Sequence, residues 1–180
     1  KPRLPQASSI IPYLRQIDES QWYSNFGPLN QRLEDSLLRG FFNGQGGLCT
    51  VCNATTALML GIGQMKRSGG MYAIMPSFTF QATPLAAMWC GLTPYFIDVD
   101  PQTWCLDPER LREAIGTLGD TVAVVVPVAS FGTGMDLEFY EELMAQGIPV
   151  VVDAAPNLGT CVHNLQYGHG FSGLIAYSLH

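Results

Sequence analysis

"TVAVVVPVA" (121–129) and "IPVVVDAA" (148–155) are continuous Val-rich runs that never alternate apolar with polar residues. A strand with one wet face alternates; a strand covered on both faces has no need to. Between the two runs, "DLEFYEELMAQG" (136–147) places Leu137, Tyr140 and Met144 on one face of a helix. Covered strand, helix, covered strand is the signature of a parallel βαβ unit, and it predicts an α/β domain with a largely parallel sheet.

The same alternation extends upstream. "GLCTVCN" (47–53) reads as a strand, "TTALMLGIGQMKR" (55–67) as a mostly apolar helix, "MYAIMP" (71–76) as a strand, and "FQATPLAAMWCG" (80–91) as a helix that Pro84 delays or kinks. "TPYFIDVD" (93–100) is the next strand. "DPERLREAIG" (107–116) carries its own punctuation, with Asp107 as cap, Pro108 at the first helical position, Glu109 in the first turn and Gly116 as a stop. Nearer the start, Leu29, Leu33 and Leu37 recur every fourth residue in "PLNQRLEDSLLRGFF" (28–42) and predict an amphipathic helix; what precedes it reads as polar loop. The chain ends in "FSGLIAYSLH" (171–180), read as a strand on which Ser178 and His180 point the same way.

Composition narrows the function classes. The 180 residues are 47% hydrophobic and 13% charged, with a formal net charge of -6, which fits a globular domain and argues against disorder. Nine scattered basic residues do not make a nucleic-acid groove. No apolar run of about 18 residues is present to span a bilayer. Small molecules or another protein are the expected partners, with no nucleic acid and no membrane. Five cysteines without disulfide-scaffold density favour a reducing, cytoplasmic setting. Cys49 and Cys52 form a lone C-x-x-C with no second pair, so the expectation is two small residues on a buried strand and no metal. Lys1 at the start and an apparent strand at the end suggest the edges of a fragment.

Ligands of open α/β sheets bind beyond the carboxyl ends of the strands, so the residues following each apolar run are the candidates. After "LCTVC" come Asn53, Ala54, Thr55 and Thr56 at a helix N-terminus, whose free N–H groups suit an anion; plain capping by Asn53 or Thr55 is the simpler alternative. After "YAIMP" come Phe78 and Phe80, either core or stacking faces. After "IPVVV" comes Asp153, a carboxylate expected to be buried and therefore to need a cationic or N–H partner; capping of the following turn is the simpler alternative. His163 and His169 are the nearest basic residues, and neither spacing forces a pair. Ser178 and His180 on one face lack the G-x-S-x-G elbow of a hydrolase. A phosphate-type turn, an aromatic and a buried Asp at the ends of three strands match what pyridoxal phosphate requires: an anion site, a stacking face and a carboxylate for the pyridine nitrogen.

The ordered motifs "SNFGPL…LE", "CNATTAL", "PSFTFQAT", "GLTPYFIDVDPQTWCLDPERLREAI", "VVVPVASFG", "VVVDAAPNLGT" and "AYSLH" resemble the DegT/StrS-type aminotransferases of nucleotide-linked keto-sugars, over nearly all of the chain. The resemblance implies a fold type I, three-layer α/β/α domain with a largely parallel mixed sheet, in part. Residues 1–45 would be an N-terminal helical segment and 46–180 part of the cofactor-binding large domain, with the C-terminal small domain absent from this chain. It implies pyridoxal 5'-phosphate as cofactor, bound by Ala54 and Thr55 at the phosphate with Ser178 as a further phosphate contact, by Phe80 stacked on the ring, and by Asp153 at the ring nitrogen.

The family pattern runs S-x-H-x-x-K, so its Schiff-base Lys would lie three residues beyond His180, no catalytic residue lies within the chain, and the fragment alone is expected to be inactive. The implied reaction passes an amino group, usually from glutamate, to a keto-sugar nucleotide in a homodimer. A sugar dehydratase of the same fold, with His at the Lys position, and an inactive sugar-nucleotide-binding relative are the alternatives. Two positions depart from the family pattern. Ala54 replaces a common Gly, and Pro156 replaces a Gln or His that would reach the cofactor's phenolic oxygen, leaving Asn157 as a substitute donor.

Overall fold

The computed structural model describes residues 4–179, so the reading of His180 lies outside the described residues. The chain divides into two units, Lys1–Thr50 and Val51–His180.

The first unit holds two helices, α1 (Ala7–Ser20) and α2 (Pro28–Phe42). The expected loop before α2 is thus mostly helix. α1 carries Pro12 inside it, and Ile10, Leu14 and Ile17 keep a helical spacing along it. The Arg32 guanidinium lies over the Tyr13 ring at 5.2 Å. The expected strand at 47–53 does not form. The Thr50 N–H, which a ladder would use, donates instead to the Glu34 carboxylate at 2.7 Å, and the Thr50 hydroxyl bonds both Glu34 and Asn30. Cys49 in this unit and Cys52 in the next are both exposed, not buried on a strand.

The second unit runs α3 (Ala54–Met65), β1 (Tyr72–Pro76), α4 (Ala82–Trp89), β2 (Thr93–Ile97), α5 (Pro108–Leu118), β3 (Val122–Val125), α6 (Glu138–Ala145), β4 (Val151–Asp153), a hairpin of β5 (Cys161–Val162) and β6 (Leu165–Gln166), and β7 (Leu174–Ala176). β2, β1 and β3 pair in parallel in that order, as do β4 and β7. Parallel bridges at Val125 with Val150 and at Val128 with Asp153 join the two groups into the order β2-β1-β3-β4-β7. Pro127 has no N–H to give the ladder and interrupts it, though its carbonyl still accepts from the Asp153 N–H at 2.9 Å.

The Val-rich runs behave as their composition demands. Val122 to Val126 have no exposed surface, and their side chains divide between two cores. Val122 and Val125 pack with Ile74, Val150 and Val152 against Leu111 and Ala114 of α5 and Tyr140 and Leu143 of α6. Val124 and Val126 pack with Met75 and Val151 against Leu58 and Ile62 of α3 and Ala86 and Ala87 of α4. Helices therefore cover both faces, giving three layers. Each fully buried Val or Leu contributes about 1.5–3 kcal/mol of transfer free energy.

Gly70 and Gly61 are among the glycines that permit close approach. A Cβ on Gly70 would lie 2.5 Å from Ala123 Cα, and one on Gly61 would lie 3.0 Å from Val151 Cγ1.

Local punctuation was partly as expected. Asp107 caps α5 by accepting from Glu109 N at 2.8 Å and Arg110 N at 3.2 Å. Gly116 does not stop that helix; Gly119 does, at φ 52°. Gly116 has open space around it and is tolerated in the helix, at a cost near 1 kcal/mol relative to Ala. The β5–β6 hairpin, absent from the sequence reading, turns on His163 and Asn164, both left-handed at φ 50° and 65°, as a two-residue primed turn requires. β7 ends at Ala176, so Ser178 lies two residues past the strand, not on it. Among the described residues no helix is long and apolar enough to cross a membrane.

Candidate functional site at the carboxyl ends of the strands

The strand order reverses around β1: the chain passes from β1 to β2 on one side and to β3 on the other, which makes the β1/β3 boundary a topological switch point. All five candidate residues lie at the carboxyl-end side of this sheet. α3 ends near the start of β3, where Arg67 N donates to Ala123 O, so its N-terminus faces the opposite, carboxyl end. Ala54 and Thr55 are its first two residues. Phe80 precedes α4, Asp153 ends β4, and Ser178 follows β7, its N–H donating to Ala155 O at 3.1 Å.

At α3, Asn53 is the cap, with its Oδ1 accepting from Thr56 N at 2.8 Å and from the Thr56 hydroxyl at 3.1 Å. Capping by Asn53 and an anion site at Ala54 and Thr55 are therefore compatible, because a cap satisfies only part of the set of N–H groups a helix start leaves unpaired. Ala54 has no positive φ, so the side chain at this position imposes no strain.

Asp153 is 4% exposed. Its Oδ2 accepts from the Thr83 hydroxyl at 2.7 Å and its Oδ1 from the Ala155 N–H at 3.2 Å. Among the described residues no Lys, Arg or His forms an ion pair with it. Burial pushes its carboxyl above the usual range, and the Thr83 and Ala155 hydrogen bonds oppose that shift. His163 sits in the hairpin turn, and His169 buries an Nε2 that has no hydrogen-bond partner among the described residues.

The threonines are what the sequence reading missed. Thr83 is wholly buried, and its hydroxyl also meets that of Thr79 at 2.7 Å. The available signal was the four-residue spacing of Thr79 and Thr83 across the start of a helix following a strand.

Of the two phenylalanines after β1, Phe80 is 73% exposed. Phe78 instead joins Trp104 and Phe131 in an aromatic cluster, with ring centroids 5.0 Å from Trp104 and 5.8 Å from Phe131. Trp104 and Phe131 both adopt left-handed backbone, at φ 59° and 57°, which costs roughly 1–2 kcal/mol for each non-glycine residue. The Ser130 hydroxyl holds the Trp104 carbonyl at 3.0 Å. At the second departure from the family pattern, Asn157 is wholly buried; its Nδ2 donates to the Thr133 carbonyl at 3.1 Å, and its Oδ1 has no hydrogen-bond partner among the described residues.

The family model of the DegT/DnrJ/EryC1/StrS aminotransferases matches residues 6–180. The chain belongs to this family. The crystal structure of a protein from Bacillus cereus ATCC 10987, described as a "Putative PLP-dependent aminotransferase", superimposes with a TM-score of 0.97 at 49% identity, covering 100% of this chain and 49% of that one. Protein Rv3402c of Mycobacterium tuberculosis (strain ATCC 25618 / H37Rv) is 33% identical over 164 residues, 89% of this chain and 40% of its own. The dTDP-4-amino-4,6-dideoxy-D-glucose transaminase of Escherichia coli is 29% identical over 178 residues, 98% of this chain and 45% of its own. The chain thus spans less than half the length of these curated relatives. The fold is that of a partial α/β domain of fold type I aminotransferases, as the sequence motifs implied.

Proposed function

We propose that the full-length protein is a pyridoxal 5'-phosphate-dependent aminotransferase that passes an amino group, with glutamate as donor, to a keto-sugar nucleotide. The observation that carries this reading is Asp153: a buried carboxylate at a strand end, held by two hydrogen bonds and lacking a cationic partner among the described residues. A protonated pyridine nitrogen is a cation of the kind such a carboxylate lacks. The surrounding residues also fit the cofactor's other parts. Names of relatives point the same way, to PLP dependence for the Bacillus cereus protein and to a sugar-nucleotide transaminase for the Escherichia coli one.

In this reading the N–H groups of Ala54 and Thr55, backed by the α3 dipole, hold the phosphate, and Ser178 adds a further contact. Phe80 offers its exposed ring as a stacking face. Asp153 holds the proton on the ring nitrogen. When bound, pyridoxal phosphate supplies an electron sink for the carbon that loses or gains the amino group. Pro156 has no side-chain donor for the phenolic oxygen, and the Asn157 side chain gives one of its two amide N–H groups to the Thr133 carbonyl. Residues 46–180 then form part of the large domain of a cytoplasmic homodimer.

Incubation of the full-length protein with pyridoxal phosphate tests the reading. A visible absorbance band should appear, borohydride should abolish it, and the reduced label should map to one lysine shortly after His180. Purification without cofactor, with no band after soaking, overturns it.

A further inference from the structure

The wholly buried Thr83 hydroxyl has one proton to give, and an ionised carboxylate can only accept. Thr83 therefore donates to Asp153 Oδ2 at 2.7 Å, and in the 2.7 Å contact between Thr79 and Thr83 the donor is Thr79. Thr79 has a competing acceptor in the Phe80 carbonyl, but at 3.3 Å that is the weaker choice. The hydroxyls thus form a directed chain, Thr79 to Thr83 to Asp153, with Ala155 N–H on the other carboxylate oxygen. Hydrogen bonds polarise one another in such chains, so Thr79 strengthens what Thr83 donates.

We propose that Thr83 is a positioning residue that keeps Asp153 an oriented carboxylate, and that Thr79 reinforces it through the shared hydroxyl chain. Among the described residues, desolvation acts against the charged form of Asp153, and the hydrogen bonds from Thr83 and Ala155 act for it. The Ala155 donor is backbone and cannot be tuned by side-chain replacement. Thr83 is the adjustable one. Without its hydroxyl the carboxylate holds a proton more tightly, and in the loaded enzyme the proton shared with the ring nitrogen moves toward Asp153, weakening the electron sink. This consequence for catalysis rests on the proposed cofactor reading; the effect on Asp153 itself does not.

The test is therefore made first on the cofactor-free full-length protein. Its aspartate carboxyls are labelled with 13C, the Asp153 signal is assigned by its loss in Asp153→Asn, and its titration is followed by NMR. Thr83→Val, which keeps the shape and removes the hydroxyl, should move the Asp153 midpoint upward. Thr83→Ser should restore it, and Thr79→Val should move it in the same direction by less. In the loaded enzyme, Thr83→Val should lower kcat about ten- to a hundredfold with little change in KM, the loss expected for one hydrogen bond to a charged group. An unchanged Asp153 titration in Thr83→Val overturns the positioning role, and an unchanged one in Thr79→Val overturns the chain. Failure to bind pyridoxal phosphate would refute the cofactor reading and leave the titration result standing.

Discussion

Substitutions at Asn53 separate the two jobs assigned to the start of α3. The Asn53 side chain accepts two hydrogen bonds from Thr56, one from the backbone N–H at 2.8 Å and one from the hydroxyl at 3.1 Å. Asn53→Ala removes the cap, for which about 1 kcal/mol is the ordinary cost. In a domain of this size that lowers the melting temperature by roughly 2–4 °C. Asn53→Asp keeps the acceptor, and its charge favours the positive end of the helix dipole by about 0.3–1 kcal/mol, so thermal stability of the cofactor-free protein should be preserved or slightly raised. The same charge opposes a phosphate held by Ala54 and Thr55. Two unit charges about 4 Å apart near a protein surface interact by about 4 kcal/mol, and even a third of that is a tenfold loss of affinity.

Circular-dichroism melts of the cofactor-free variants and absorbance titrations with pyridoxal phosphate read the two effects independently. The expected pattern is a less stable Asn53→Ala and a stable Asn53→Asp that binds the cofactor at least about tenfold more weakly. An Asn53→Asp variant that folds normally and binds with undiminished affinity would refute the placement of the phosphate at this helix end.

Asp153 makes stability depend on pH in a known direction. Burial raises its folded-state pKa above the unfolded value, so its contribution is favourable below the unfolded pKa and is lost as pH rises through the folded one. Asp153→Asn should therefore stabilise the cofactor-free protein at pH 7, with the gain shrinking toward pH 3, as urea denaturation at both values will show. Phe80→Ala should leave stability within about 0.5 kcal/mol, since the ring is exposed, while weakening cofactor binding by about 0.5–1.5 kcal/mol in a titration. Gly70→Ala forces a methyl group onto the Ala123 backbone and should destabilise by about 1–3 kcal/mol in urea unfolding.

The parts of the fold legible in the sequence were those where one local rule dominates. The runs at 121–129 and 148–155 had to be covered on both faces, and Asp107 with Pro108 could only start a helix. What was illegible depended on partners distant in sequence. "GLCTVCN" has strand composition, yet Glu34 captures the Thr50 N–H that a ladder would need. The stretch before α2 read as polar loop where α1 forms, and Gly116 signalled a stop where Gly119 supplies the left-handed turn. The site divided the same way. Ala54, Thr55, Phe80, Asp153 and Ser178 could be named because each follows an apolar run, whereas Thr83 came to light only when folding placed it 2.7 Å from a residue 70 positions away.

Turnover and keto-sugar-nucleotide binding, measured side by side for the full-length wild type and Asp153→Ala, test the central claim most directly. If Asp153 holds the proton on the ring nitrogen, kcat falls by about a hundredfold or more while the dissociation constant of the sugar nucleotide changes little, since the lost interaction is one of charge stabilisation during reaction. Equal losses in both would show that Asp153 only supports the fold, and would contradict the account.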